Sequence, residues 1–95
     1  MFRIALISLA FVATPALAQG HFSAQPETRP TQQRLLARDN IWRCGEAVCT
    51  SPRTATRPAI VCSTLARQVG ALRSFSVAGR PFAAEELAVC NSRAR

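Results

Sequence analysis

Four cysteines, Cys44, Cys49, Cys62 and Cys90, constrain the fold of this 95-residue chain more than any other feature. The first two lie five positions apart in Ile41-Trp42-Arg43-Cys44-Gly45-Glu46-Ala47-Val48-Cys49-Thr50, which also holds the only tryptophan. A pair so placed is a redox site, a metal site or a staple, and the compartment in which the chain folds decides among them.

The N-terminus bears on that choice. Arg3 precedes an apolar run, Ile4 to Ala13, interrupted by Ser8 alone; Pro15 and then Ala16-Leu17-Ala18 follow. A short basic region, an apolar run and small residues before a cleavage point are the layout of a secretory signal peptide. The run is shorter than the roughly 20 residues needed to span a bilayer, and no other segment is long or apolar enough. Residues 1–18 are therefore expected to be a signal peptide, with an exported, periplasmic or secreted mature chain beginning at Gln19. Removing 18 residues from 95 leaves 77, enough for one small domain of the size that commonly needs staples.

Residues 19–34 are polar, carry prolines and lack apolar periodicity, which predicts a flexible leader before a single domain over 35–95. Arg34 to Asn40 reads as a helical turn or a link into the domain. Ile41–Cys44 and Val48–Thr50 flank a short Gly45-Glu46 connection and predict a β-hairpin. Thr56 is placed to cap a helix with Pro58 in its first turn; Val61, Cys62, Leu65, Ala66 and Val69 share a face, and Gly70 ends it. Leu72–Val77 alternates as a strand except at Leu72, and Ala78-Gly79-Arg80-Pro81 is a turn. Ala83–Asn91 predicts a second helix, with Glu85 and Glu86 in the first turn, where the dipole favours anions. Asn91–Arg95 is expected to fray. The expected class is α+β: a small disulfide-stapled domain with a hairpin and one further strand packed on two helices.

These elements allow the cysteines to be paired. A dithiol redox motif has two residues between its cysteines, and here there are four. A four-cysteine zinc site has two close pairs, and this chain has one. Across a hairpin, Cys44 and Cys49 face each other within bridging reach. Cys62 and Cys90 each fall on the apolar face of a helix and point to one interior. The expected bridges are Cys44–Cys49 and Cys62–Cys90, with no metal and no cofactor; a thiol redox or metal site at Cys44 and Cys49 is the alternative.

The order Trp42-Arg43-Cys44-Gly45, Cys49, Arg57-Pro58-Ala59 with Cys62, Gly70, Ser74-Phe75 and Cys90-Asn91 resembles a family of small exported four-cysteine proteins of alphaproteobacteria. No activity is assigned to that family, so the resemblance implies export and the cysteine framework and adds no chemistry. Similar proteins carry an aspartate near position 83, where this chain has Ala83; the residue that would cap the last helix is missing.

Every basic residue is an arginine, and the mature chain holds eleven against five acids, a formal charge of +6. They are scattered from Arg29 to Arg95, without an aromatic ladder of the kind that binds single-stranded nucleic acid. No Ser–His–Asp set, paired carboxylates or glycine-rich phosphate loop is visible, and the one histidine, His21, falls in the leader. The expectation is a non-enzymatic binding or interaction module, with Trp42, Arg43, Arg57, Arg67, Arg73 and Arg80 as candidate contacts. Its partner would be a periplasmic protein or an anionic envelope polymer. The alternative is a basic surface that binds lipopolysaccharide or nucleic acid by charge, with affinity falling steeply as salt rises. Trp42 is either a surface anchor or a core residue packing sheet on helices.

Overall fold

The computed structural model describes residues 20–94; the expected signal peptide, residues 1–18, lies outside them. Six strands form one antiparallel sheet: β1 (Phe22–Pro26), β2 (Arg34–Ala37), β3 (Asn40–Cys44), β4 (Cys49–Ser51), β5 (Leu72–Val77) and β6 (Arg80–Pro81), ordered β2-β3-β4-β1-β5-β6. Among the described residues two helices, α1 (Pro58–Val69) and α2 (Ala84–Asn91), accompany the sheet. The α+β class stands, with a sheet twice as large as the hairpin and single strand read from the sequence.

Most of the added sheet comes from the N-terminal third. The segment read as a flexible leader contains β1, which pairs with β4 on one side and β5 on the other. Alternation makes this possible: Phe22 and Ala24 are buried while Ser23 and Gln25 face the other way. Gly20 continues onto β4 so closely that a Cβ there would come within 2.6 Å of the Thr50 Cβ. Arg34 to Ala37 is likewise a strand where a helical turn was one expectation. It pairs with β3 through a two-residue turn, Arg38-Asp39, in which Arg38 takes φ 60°.

Leu72 breaks the alternation of β5 for a structural reason. The register slips between Gln25 and Pro26, so that Gln25 opposes Ser74 while Pro26 opposes Leu72. Arg73 is the extra residue of a bulge, and both Leu72 and Phe75 face the core. Phe75 is the hub of that core. Its ring centroid lies 6.1 Å from Phe22, 6.3 Å from Trp42 and 4.7 Å from Phe82. From α1, Val61, Cys62, Leu65 and Ala66 close over them.

The start of α1 differs from expectation, whereas α2 has Ala83 at its N-cap without a capping side chain, as expected. Thr56 does not cap α1: Arg57 is the N-cap and makes no side-chain cap bond, while the Thr56 hydroxyl donates to Asp39 Oδ2 at 3.2 Å. Pro58 opens the first turn, and Gly70 ends the helix at φ 94°. At α2, Glu86 Oε1 accepts the Ala83 N–H at 2.9 Å, supplying half of a capping box whose other half alanine cannot provide.

Helix α2 has a single fully buried residue, Cys90. Its end is pinned by Asn91, which was expected to fray. Asn91 Oδ1 accepts the Leu72 N–H and Nδ2 donates to the Leu72 carbonyl, both at 2.9 Å. This amide closes both free backbone groups of a strand residue, and a carboxylate can serve only one of them. Asn91→Asp is expected to lower stability by about 1–3 kcal/mol, because it leaves the carbonyl facing an oxygen. An unchanged denaturant midpoint would contradict this.

Candidate functional site

The four cysteines form Cys44–Cys49, with Cα atoms 3.9 Å apart, and Cys62–Cys90, at 5.8 Å; no cysteine is free. These are the pairs that hairpin and helix spacing argue for. Register places Cys44 opposite Cys49 at the end of the β3–β4 ladder, where the Gly45 N–H donates to the Val48 carbonyl at 2.9 Å. All four side chains are buried, the most accessible being Cys44 at 6 %. The second bridge ties the middle of α1 to the end of α2.

Trp42 is fully buried, at 0 % exposure, which removes it as a surface anchor. The alternation of β3 turns Asn40, Trp42 and Cys44 inward and Ile41 and Arg43 outward. The Trp42 indole Nε1 is the one buried side-chain polar atom without a hydrogen-bond partner among the described residues. Asn40, also buried, is satisfied: its Nδ2 donates to Ser51 Oγ at 3.1 Å and its Oδ1 accepts from Thr54. His21 packs edge-on against Phe22 with centroids 4.8 Å apart, and its carbonyl accepts the Ala78 N–H.

The five candidate arginines do not converge on one place. Arg43 lies on the sheet face away from the helices, beside Arg34. Arg67 sits in the last turn of α1, where a cation suits the helix dipole, and Arg73 occupies the bulge of β5. Arg57 and Arg80 line two adjoining concavities. Between the start of α1 and the face of α2 lies a groove of about 630 Å³, lined by Pro58, Ile60, Phe82 and Val89 with Arg57 and Arg93 beside them. A second concavity of about 580 Å³ shares Pro58, Phe82 and Glu86 with it and continues past Val77 and Pro81 to Arg80.

Phe82 is the floor common to both. It is held against Phe75 and so is anchored in the core, while Val89 on one wall is 67 % exposed. The disulfide Cys62–Cys90 fixes the two helices that form the walls. The acidic residue in the groove, Glu86, already accepts the Ala83 N–H, whereas Arg57, Arg80 and Arg93 surround the apolar floor. Such a surface suits a ligand that is apolar along its length and negatively charged at its margins. Phe82, Val89 and Arg93 were missed from the sequence. The signal for Val89 was an apolar residue beside Cys90 on a short helix with a polar exterior.

Among the described residues there is no group of three His, Cys, Asp or Glu side chains placed to hold a metal ion, and no helix long and apolar enough to cross a membrane. Two closed, buried disulfides indicate folding in an oxidising compartment. A model of the family of unknown function DUF8200 matches residues 6–92. No curated protein and no solved structure matches the chain. With nearly its whole length covered, the chain belongs to the family of unknown function DUF8200.

Proposed function

We propose that this member of the family is an exported, disulfide-stapled interaction module that holds an acidic, partly apolar segment of a partner protein in the groove floored by Phe82. The observation that carries the reading is the arginine-rimmed apolar groove itself. The signal-peptide layout of residues 1–18 and the closed disulfides support export. The Cys62–Cys90 bridge serves binding by holding the groove walls at fixed spacing before a ligand arrives, which lowers the entropy lost on association. The reading includes no catalytic step, metal or cofactor.

A photo-crosslinking residue at Val89 is expected to give a discrete adduct with one exported protein, which then binds the purified domain. The same residue at the exposed Gln68 on α1, outside the groove, is expected to give none. Arg57→Glu with Arg93→Glu should weaken that binding roughly tenfold or more while leaving the unfolding midpoint nearly unchanged, since exposed pairs contribute about 0.2–1 kcal/mol each and reversal adds repulsion. Equal labelling from both positions, or binding indifferent to the charge reversal, would contradict the reading.

A further inference from the structure

Helices cover one face of the sheet, and the other face carries a second arrangement that the groove does not use. Along β2, Arg34 and Leu36 point to this uncovered face; along β3, Ile41 and Arg43 do the same. Register sets Arg34 directly opposite Arg43 and Leu36 directly opposite Ile41. The four side chains form a block at the sheet edge, two cations beside two apolar groups. Leu36 is 62 % exposed and Ile41 42 %.

Each half of this block is unfavourable for a domain alone in water. Like charges directly opposite on neighbouring strands repel. Exposed Leu–Ile contact forfeits burial that the same side chains would gain elsewhere. Two shallow concavities flank the arginines. One, of about 370 Å³, adds Ile41 and Thr50; the other, of about 400 Å³, adds Gln33 and Gly45, and both are lined by Arg34 and Arg43 together. Thr50 stands opposite Arg43 in the next strand, so a hydroxyl extends the cationic row. Beyond the apolar pair, the exposed Arg38 forms the hairpin tip. The carboxylates nearest in sequence, Asp39 and Glu46, lie in the two flanking turns, and Asp39 accepts the Thr56 hydroxyl.

We propose that this β2–β3 face docks on an anionic phospholipid surface. Arg34 and Arg43 meet headgroup phosphates, and Leu36 and Ile41 enter the boundary between headgroups and acyl chains. A bilayer surface offers both complements side by side, which a nucleic-acid backbone does not. No aromatic side chain stands in the block to stack on bases. Docking here is peripheral and reversible, and it leaves the Phe82 groove on the helical side free.

The test is co-sedimentation of the protein, purified in its exported form, with vesicles of phosphatidylcholine alone or with added phosphatidylglycerol. Binding is expected only with phosphatidylglycerol, and it should fall as salt rises. Arg34→Gln with Arg43→Gln should reduce binding roughly 20–30-fold, from about 1 kcal/mol for each arginine near an anionic surface. Leu36→Ser with Ile41→Ser should also reduce it severalfold, and Arg67→Gln with Arg73→Gln should change it little. All four positions of the block are exposed or edge positions, so the variants are expected to keep the wild-type unfolding midpoint. Three results would overturn the proposal: no binding to phosphatidylglycerol, equal loss from Arg67 and Arg73, or binding unaffected by the loss of Leu36 and Ile41. The last, together with equal retention on heparin, would mean attraction to any polyanion.

Discussion

A chain beginning at Glu27 is expected not to fold. Strand β1 lies between β4 and β5, and those two strands have no other hydrogen-bonded link. Removing it divides the sheet into β2-β3-β4 and β5-β6 and exposes two edges at once. It also takes away Phe22, which is 1 % exposed and stacks on Phe75, and the buried Ala24. Loss of a buried phenylalanine alone costs about 3–5 kcal/mol, comparable to much of the 5–15 kcal/mol by which whole domains are stable. The truncated chain should show no cooperative thermal transition, and Phe22→Ala in the full chain should lower stability by about 3–5 kcal/mol. A flexible leader would predict changes within about 0.5 kcal/mol for both. A truncated chain that melts like the intact one would therefore restore that reading.

Loss of the Cys62–Cys90 bridge should be the most damaging change among the cysteines. It closes a separation of 28 residues against 5 for Cys44–Cys49. Loop-closure entropy alone gives about 3.6 kcal/mol for the first and about 2 kcal/mol for the second. Packing widens the gap. Helix α2 offers only Cys90 as a fully buried residue, with Leu87 partly buried and Asn91 clamped to Leu72, so without the bridge it has little else to hold it. The Cys44–Cys49 hairpin retains its ladder to β1 and β2. Cys62→Ser should thus lower the denaturant midpoint far more than Cys44→Ser, and it should expose α2 amides to hydrogen exchange before the sheet opens. Since α2 is a wall of the Phe82 groove, partner binding should fail with it. Equal midpoint losses in the two variants would contradict this division.

What could be read from the sequence was what local pattern determines. Helix α1 was legible because Val61, Cys62, Leu65 and Ala66 recur at helical spacing between a proline and a glycine. The β3–β4 hairpin was legible because β-prone residues flank a short turn. Strand β1 was not. Phe22-Ser23-Ala24-Gln25-Pro26 has one strong strand former, and its partners lie 25 or more residues away in β4 and about 50 away in β5, so pairing and burial rather than propensity make it a strand. Arg34–Ala37 failed as a helical turn for the same reason: Leu35 and Ala37 alternate inward only once β3 is beside them.

The site was less legible than the fold. Arg57 and Arg80 were named, but nothing local joins them; the fold does so by placing both beside Phe82. Trp42 carried the composition of an interface anchor, yet the alternation of β3 with its neighbours sends it inward. Arg34 fell at the boundary of the supposed leader, and its relation to Arg43 exists only through strand register.

In the proposed reading the cysteines are scaffold and the surfaces around them are the binding elements. Mass-spectrometric mapping of the exported protein, with free thiols counted under graded reductant, tests that most directly. Closed Cys44–Cys49 and Cys62–Cys90 bridges are expected, with no bound metal and no thiol appearing until the domain itself begins to unfold. A Cys44–Cys49 bridge that opens under mild reductant while the domain stays folded would contradict that reading and make the β3–β4 hairpin a redox site.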